Sequence, residues 1–325
     1  MEEQTVKVQV KTPARLHLGL IDMNGDLGRM FGGLGVGIDH PNFIVEAENA
    51  EKFLVTGQET VLATILAKRF LSNYQIRPKV HIHVSEAIPS HIGLGSGTQF
   101  SIAVAVALAK LFNVKASIPE LAVSMGRARR TAVGTSIFEA GGFVVDGGKN
   151  LKTQAFPPLI YRQPFPTEWR FIVAVPNLKE GLSNSEENHA FEKLTKMPAE
   201  DVGQICRLIM LKLLPALAER DIENFGDGVT RIQVLTGNHF AQAQGGTYAS
   251  PAAAECIQFI KKAGAYGVGQ SSWGPALYGL VKQEEAKQVL KKVKDYLRKG
   301  VNGEAFIAKP NNRGAVIKLI DGAKQ

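Results

Sequence analysis

The sequence predicts an α+β protein built as two domains. Three observations carry that expectation. Strand-like and helix-like segments are mixed without the strict alternation of a doubly wound sheet. At 325 residues the chain exceeds what one hydrophobic core usually organises. The stretch FPPLIYRQPFPTEW at 156–169 holds four prolines and no helical period, so it reads as the boundary between residues 1–165 and 166–325.

The elements follow in order. Val6, Val8 and Val10, then Leu16, Leu18 and Leu20, recur at every second position, as half-buried strands do. GDLGRMFGGLGVG (25–37) holds six glycines and reads as a loop whose backbone visits positive φ or approaches a neighbour closely. Residues 59–75 read as an amphipathic helix with Val61, Leu62, Ile65, Leu66 and Phe70 inward. KVHIHVS alternates again, with Val80, Ile82 and Val84 facing the core. A glycine-rich loop then feeds an apolar helix running to about 112.

Ser117, Pro119 and Glu120 form a capping box that starts a further helix, and the arginines of GRARR (126–130) are expected at its far end. Glycine and strand character return at 141–150. Beyond the boundary, RFIVAVP is a buried strand, and helices are expected near 199–219, 222–235 and, capped by Ser250-Pro251, 251–263. GPALYGLV is a strand, 283–299 a helix, and GEAFIAKP and GAVIKLI two closing strands.

Composition is that of a globular protein: 45% hydrophobic and 21% charged residues. No run approaches the ~18 apolar residues of a membrane span. The start MEEQTVKVQV has neither the basic residues nor the apolar run of a signal peptide. Cys206 and Cys256 make neither a disulfide framework nor a metal-ligand spacing, which reads as a cytoplasmic protein with reduced thiols. The net charge of +8 suits a polyanionic ligand, either nucleic acid or a phosphorylated metabolite. Interleaved basic and aromatic residues are absent, which argues against nucleic acid. The lysines of KQEEAKQVLKKVKDYLRKG interleave with acids as on a solvated helix face, whereas GRARR has no acidic residue beside it. His81 and His83 share a strand face, but no third ligand has telling spacing for a metal.

PSHIGLGSGTQFS (89–101) is the most informative stretch. Gly93, Gly95 and Gly97 would let backbone amides approach an anion at a helix N-terminus, and Ser96 and Thr98 add hydroxyl donors. The alternative is a tight turn needing several glycines. The chain contains neither G-x-x-x-x-G-K-[ST] nor G-x-G-x-x-G, so neither a Walker loop nor a dinucleotide fold is indicated.

Pro89 to Gly97, P-x-x-x-G-L-G-S-G, resembles the phosphate-binding motif of the superfamily of galactokinase, homoserine kinase, mevalonate kinase and phosphomevalonate kinase. PARLHLGLID (13–22) and GVGQSSWGPALYG (267–279) lie where that superfamily carries its other motifs. The resemblance implies an N-terminal ribosomal-protein-like α/β domain followed by a ferredoxin-like α+β domain. Two departures are informative: the second serine of the kinase motif is Gly97 here, and the C-terminal motif carries Gln270, Ser271, Ser272 and Trp273. These variants, with GRMFGG, GRARRTAVGTSIFEAGGF and QGGTY, resemble the β-ribofuranosylaminobenzene 5′-phosphate synthase branch over roughly residues 10–320.

That resemblance implies a pentosyltransferase rather than a kinase. It would join 4-aminobenzoate or 4-hydroxybenzoate to phosphoribosyl pyrophosphate with loss of pyrophosphate and carbon dioxide, in tetrahydromethanopterin biosynthesis. It also implies Mg²⁺, a homodimer and no membrane or nucleic-acid partner. Gly93, Leu94, Gly95, Ser96, Gly97, Thr98 and Gln99 would hold the donor's phosphates, with Ser96 and Glu139 at the metal and Asp22 and Asp146 as rivals to Glu139. Arg127, Arg129 and Arg130 fork onto phosphate or carboxylate, with 127 and 130 on one face if helical. Arg15 and His17 share the non-core face of their strand and, with Arg127, Arg130 and Glu139, are the catalytic candidates. Gln244, Gln270, Ser271 and Ser272 offer uncharged contacts, and Trp273 could stack on the benzoate or simply fill the core.

Overall fold

The computed structural model describes residues 6–178 and 194–321. Three sheets organise the molecule. The first contains β1 (Val6–Lys11), β4 (Ile44–Asn49), β5 (Leu54–Gly57), β6 (Val80–Glu86) and β14 (Val316–Asp321), in the order β14-β1-β4-β6-β5. Its ladders are antiparallel except β5–β6. Two helices pack on it, α1 (Thr60–Asn73) and α2 (Ser96–Leu111). Every residue of α2 from Gln99 to Ala109 is buried. Such a helix is apolar all round because it is surrounded: β1 and β4 lie on one side, and α1, α3 (Ile118–Ser124) and α4 (Val133–Ala140) on the others. Phe43 stacks on Phe100 at 4.3 Å between ring centroids and pins α2 to the strand edge.

The second sheet runs β2 (Ala14–Asp22), β3 (Arg29–Ile38), β7 (Phe143–Asp146), β9 (Leu159–Gln163), with β8 (Lys149–Asn150) also on β3. The third is β11 (Gly267–Gln270), β12 (Leu277–Lys282), β10 (Trp169–Pro176), β13 (Gly303–Ala308). It is covered on both faces, which is why RFIVAVP reads as a continuous apolar run. Phe171 and Val173 point into the large core shared with α7 (Ile222–Gln244), while Ile172 and Ala174 join the core under α8 (Pro251–Ala263) and α9 (Ala286–Lys299). Helix α5 (Ala199–Leu208) passes through one π turn, Ile209–Leu213, into α6 (Leu214–Glu219). Pro215 lies in the first turn of α6, where the missing amide hydrogen is absorbed by the widened turn before it.

Three local expectations need correction. The glycine run at 25–37 is mostly strand: β3 begins at Arg29. Its glycines serve packing. A Cβ on Gly35 would lie 2.6 Å from the Val133 side chain, and one on Gly33 2.9 Å from it. Second, α1 buries Ala63, Leu66, Ala67, Phe70 and Leu71, and leaves Val61 and Ile65 in solvent. Third, the arginines of 126–130 lie on a loop. Helix α3 stops at Ser124, and Gly126, at φ +73°, terminates it in a Schellman arrangement. Its amide bonds Val123 O at 2.8 Å, and the Arg127 amide bonds Ala122 O at 2.8 Å.

Candidate active site

The glycine loop does not simply offer its backbone to solvent. It lies back to back with the turn that joins β11 to β12. A Cβ on Gly93 would stand 2.2 Å from Ser271 O, and one on Gly274 would stand 2.2 Å from the carbonyl carbon of Ile92. The Ala276 amide donates to Ile92 O at 3.0 Å. The Gly93 carbonyl accepts from the Ser271 hydroxyl at 2.7 Å and from Arg15 Nη1 at 2.7 Å. The Ser271 hydroxyl in turn accepts the His17 amide hydrogen at 2.9 Å. Thus β2, the loop and the β11–β12 turn are one clamped unit. Ser271 is fully buried inside that clamp and does not line the cleft beside it.

That cleft has a volume of about 420 Å³. Five arginines line it, Arg15, Arg69, Arg127, Arg129 and Arg130, and among the described residues no aspartate or glutamate does. Of the loop, Thr98 reaches the wall, while Gly93, Leu94, Gly95, Ser96, Gly97 and Gln99 do not line it. Gln99 is buried and donates to Gly134 O at 2.8 Å, joining α2 to α4. Burial, with Arg69 and Arg129 nearby, pushes the Arg127 guanidinium below its ordinary pKa. Such a concentration of guanidinium groups, three of them half-buried, suits an anion of more than one charge.

The opposite wall comes from α7 and the β11–β12 turn. Gln233, Thr236, Gly237 and Phe240 follow helical spacing and share one face of α7. Phe240 meets Trp273 edge to face at 4.6 Å between centroids, and Tyr248 also lines the cleft. Trp273 is therefore on the site, at an aromatic corner able to take a flat ring. Gln270 accepts the Ala249 amide hydrogen at 2.9 Å and donates to Ser272 O at 3.0 Å, and Gln244 donates to Thr247 O at 3.0 Å. Both glutamines line the cleft while tying its loops together, and Ser272 lines it with them. Arg69, Tyr248 and the α7 residues Gln233, Thr236, Gly237 and Phe240 were not legible as site residues. The spacing 233, 236, 237, 240 was the available signal, a polar-to-aromatic stripe on an amphipathic helix.

Two buried ionisable groups flank the arginines. His17 lines the cleft, and its burial, then the Arg15 charge, pushes its pKa down to about 3. It is an uncharged imidazole at neutral pH. Asp146 lies behind the wall and accepts the amide hydrogens of Ala132 and Gly148, each at 2.9 Å. It thereby anchors the end of the arginine loop at the start of α4. Burial pushes its pKa up to about 6 against those hydrogen bonds. The two act oppositely on stability. Between the ordinary histidine pKa of about 6.5 and the folded value of about 3, the unfolded chain binds a proton that folded His17 refuses, so stability falls with pH. Between about 6 and the ordinary 3.8, folded Asp146 holds a proton that the unfolded chain has lost, so its contribution grows as pH falls. Thermal melts from pH 7 to 4.5 should therefore show His17→Asn keeping its Tm better than wild type. Parallel curves would mean that His17 titrates normally.

The described side chains do not offer a resident magnesium ion a set of ligands. Among the described residues no three histidine, cysteine, aspartate or glutamate side chains cluster as ligands. Glu139 is exposed on α4 and off the cleft, and Ser96 is not on its wall. Asp22 accepts the amide hydrogens of Asn24 and Gly25, capping a turn. His81 and His83 share Thr56 between them on the outer face of the first sheet, with Glu48 on His81.

Comparison with known proteins matches the N-terminal domain of GHMP kinases at residues 60–141 and their C-terminal domain at 213–299. The beta-ribofuranosylphenol 5′-phosphate synthase of Archaeoglobus fulgidus is 33% identical over 96% of this chain and 100% of its own. The protein of the same name from Methanothermobacter thermautotrophicus is 33% identical over 95% of this chain and 98% of its own. Among solved structures, the Methanococcus jannaschii mevalonate kinase superposes with a TM-score of 0.69 at 17% identity, covering 94% of this chain and 98% of that one. A homoserine kinase from Cytophaga hutchinsonii gives 0.67 at 17% identity over 96% and 97%. At that identity the likeness shows the fold.

Proposed function

The chain belongs to the beta-ribofuranosylphenol 5′-phosphate synthase family of the GHMP kinases, and from that membership we propose that its cleft joins a 4-substituted benzoate to phosphoribosyl pyrophosphate. One observation supports this reading above the others: a wall that carries five arginines faces an aromatic corner made by Phe240 and Trp273. The donor brings a phosphate and a pyrophosphate, the acceptor a flat ring and a carboxylate. The phenol in the relatives' name favours 4-hydroxybenzoate over 4-aminobenzoate as acceptor. The product would feed tetrahydromethanopterin-type one-carbon carriers.

The reaction balances as follows. The anomeric carbon–oxygen bond breaks and its electron pair leaves with pyrophosphate. The ring carbon bearing the carboxylate supplies the pair for the new carbon–carbon bond. The carboxylate then departs as carbon dioxide and returns its pair to the ring. Arg127, Arg129 and Arg130 hold the charge that grows on the leaving pyrophosphate, and they are already in place when it forms. His17, kept uncharged, adds no further positive charge beside the ribosyl centre as it becomes cationic. Phe240 and Trp273 fix the ring so that its carboxylate-bearing carbon faces the sugar. Magnesium would then enter with the donor's own pyrophosphate, since the described residues offer it no cluster of ligands.

Incubation with phosphoribosyl pyrophosphate, Mg²⁺ and carboxyl-labelled 4-hydroxybenzoate should release labelled carbon dioxide in step with pyrophosphate. ATP-dependent phosphorylation of a small alcohol, with no carbon dioxide, would overturn the reading in favour of a kinase. Light scattering tests the homodimer that the resemblance implies. No described helix is long and apolar enough to cross a membrane.

A further inference from the structure

We propose that Ser101, with the bare α-carbon of Gly97, seats the Arg127 guanidinium for the donor's phosphates, making Ser101 a positioning residue of the site. This rests on reading the cleft as a phosphate site. Ser101 lies on the second turn of α2 and is fully buried, away from any substrate. Its hydroxyl donates to Gly97 O at 2.7 Å and accepts the Nε hydrogen of Arg127 at 2.9 Å. A buried serine could satisfy itself on its own helix. This one holds an arginine from a different segment as well.

Gly97 sets the other limit. A Cβ there would lie 3.2 Å from Arg127 Nη1, with the guanidinium carbon and Nη2 both at 3.6 Å. A Cβ on Gly97 would thus sit against the guanidinium, tight at one nitrogen and in ordinary contact with the other two atoms, so the group would have to give by a few tenths of an ångström to admit it. Ser101 fixes the Nε end of the group, and Gly97 fixes its depth. Arg127 itself lines the cleft. Long side chains ordinarily lose rotamer freedom when they bind an anion. Here that freedom is already lost through two contacts that do not involve substrate. Such preorganisation strengthens binding without adding a contact.

The test uses the full chain and two small substitutions. Ser101→Ala removes the Nε acceptor. Gly97→Ala intrudes on the guanidinium while improving helix propensity at the start of α2. Calorimetry with inorganic pyrophosphate should give a Kd raised about tenfold in each variant. KM for the phosphoribosyl donor should rise similarly, with KM for the benzoate unchanged. Ser101→Thr, which keeps the hydroxyl, should restore pyrophosphate affinity to within about threefold of wild type. Gly97→Ala should melt no lower than wild type, which separates the effect from folding. Unchanged pyrophosphate affinity in both alanine variants would overturn the proposal, as would equal weakening of both substrates or a Ser101→Thr variant no better than Ser101→Ala. If the alanine variants bind pyrophosphate weakly but wild type forms no carbon–carbon bond, the positioning role stands and the assigned reaction fails.

Discussion

Replacing Arg127 by methionine should lower kcat/KM for the phosphoribosyl donor by about 10²–10³ and should raise Tm. The loss corresponds to about 3–4 kcal/mol, the usual cost of removing one partner from a desolvated, charge-assisted contact. The gain in Tm has a separate origin. The guanidinium is mostly buried with the Arg69 and Arg129 charges beside it, and both that burial and those charges disfavour its cationic form in the empty protein. Methionine keeps the apolar stem and removes the charge. Opposite movement of activity and stability is what a site built for an absent anion produces. Steady-state kinetics and a thermal melt of the same preparation check both. A variant that melts lower and binds pyrophosphate normally would make Arg127 a structural residue.

Gly93→Ala should be the most damaging single change to the fold around the site, destabilising by about 3 kcal/mol or more. Two effects add. Gly93 has φ +91°, where an L side chain is strained, and its added Cβ would stand 2.2 Å from Ser271 O. The clamp between the loop and the β11–β12 turn would have to open. Gly28→Ala separates the two effects. Gly28 has φ +82°, but a Cβ there meets nothing within 4 Å, so only the backbone strain of about 1 kcal/mol is expected. Denaturant unfolding of the two variants measures the difference. Equal losses would show that the loop and the turn are not tightly joined.

The frame of the fold was legible because its signals are local. The Ser117–Glu120 capping box is formed, with Glu120 accepting the Ser117 amide hydrogen at 2.7 Å. Val80, Ile82 and Val84 are fully buried, as their alternation requires, and Ser250 caps α8. What sequence reading misjudged depends on partners distant in the chain. Glycines at 33, 35 and 37 look like loop residues until α4 is laid across β3. Arg127 looks helical unless Gly126 is read as the stop signal that it is. The site was partly legible: Arg15, His17, Arg127, Arg129, Arg130 and Trp273 all reach the cleft. Most of the glycine loop does not, because close packing against Ser271 and Gly274 calls for the same residue type as close approach to a phosphate. Arg69 and the α7 stripe stayed hidden, since nothing in a helical pattern says which cavity a polar face will meet.

Strand β14 pairs with β1 over six residues, with Asp321 opposite Val6. This has a temporal consequence. During synthesis β1 emerges first, yet its neighbour on one side is among the last described segments to follow. Until then Val8 and Val10 belong to a strand with an open hydrogen-bonding edge, the arrangement most prone to pairing with another nascent chain. The contact is also about as non-local as a chain of this length allows, so its closure comes late and slowly. Completion of the first sheet thus reports that the third sheet and its helices have already been made. A ribosome stalled beyond the third sheet but short of β14 would carry the arginine-lined cleft with both walls present, standing on a sheet still missing a strand.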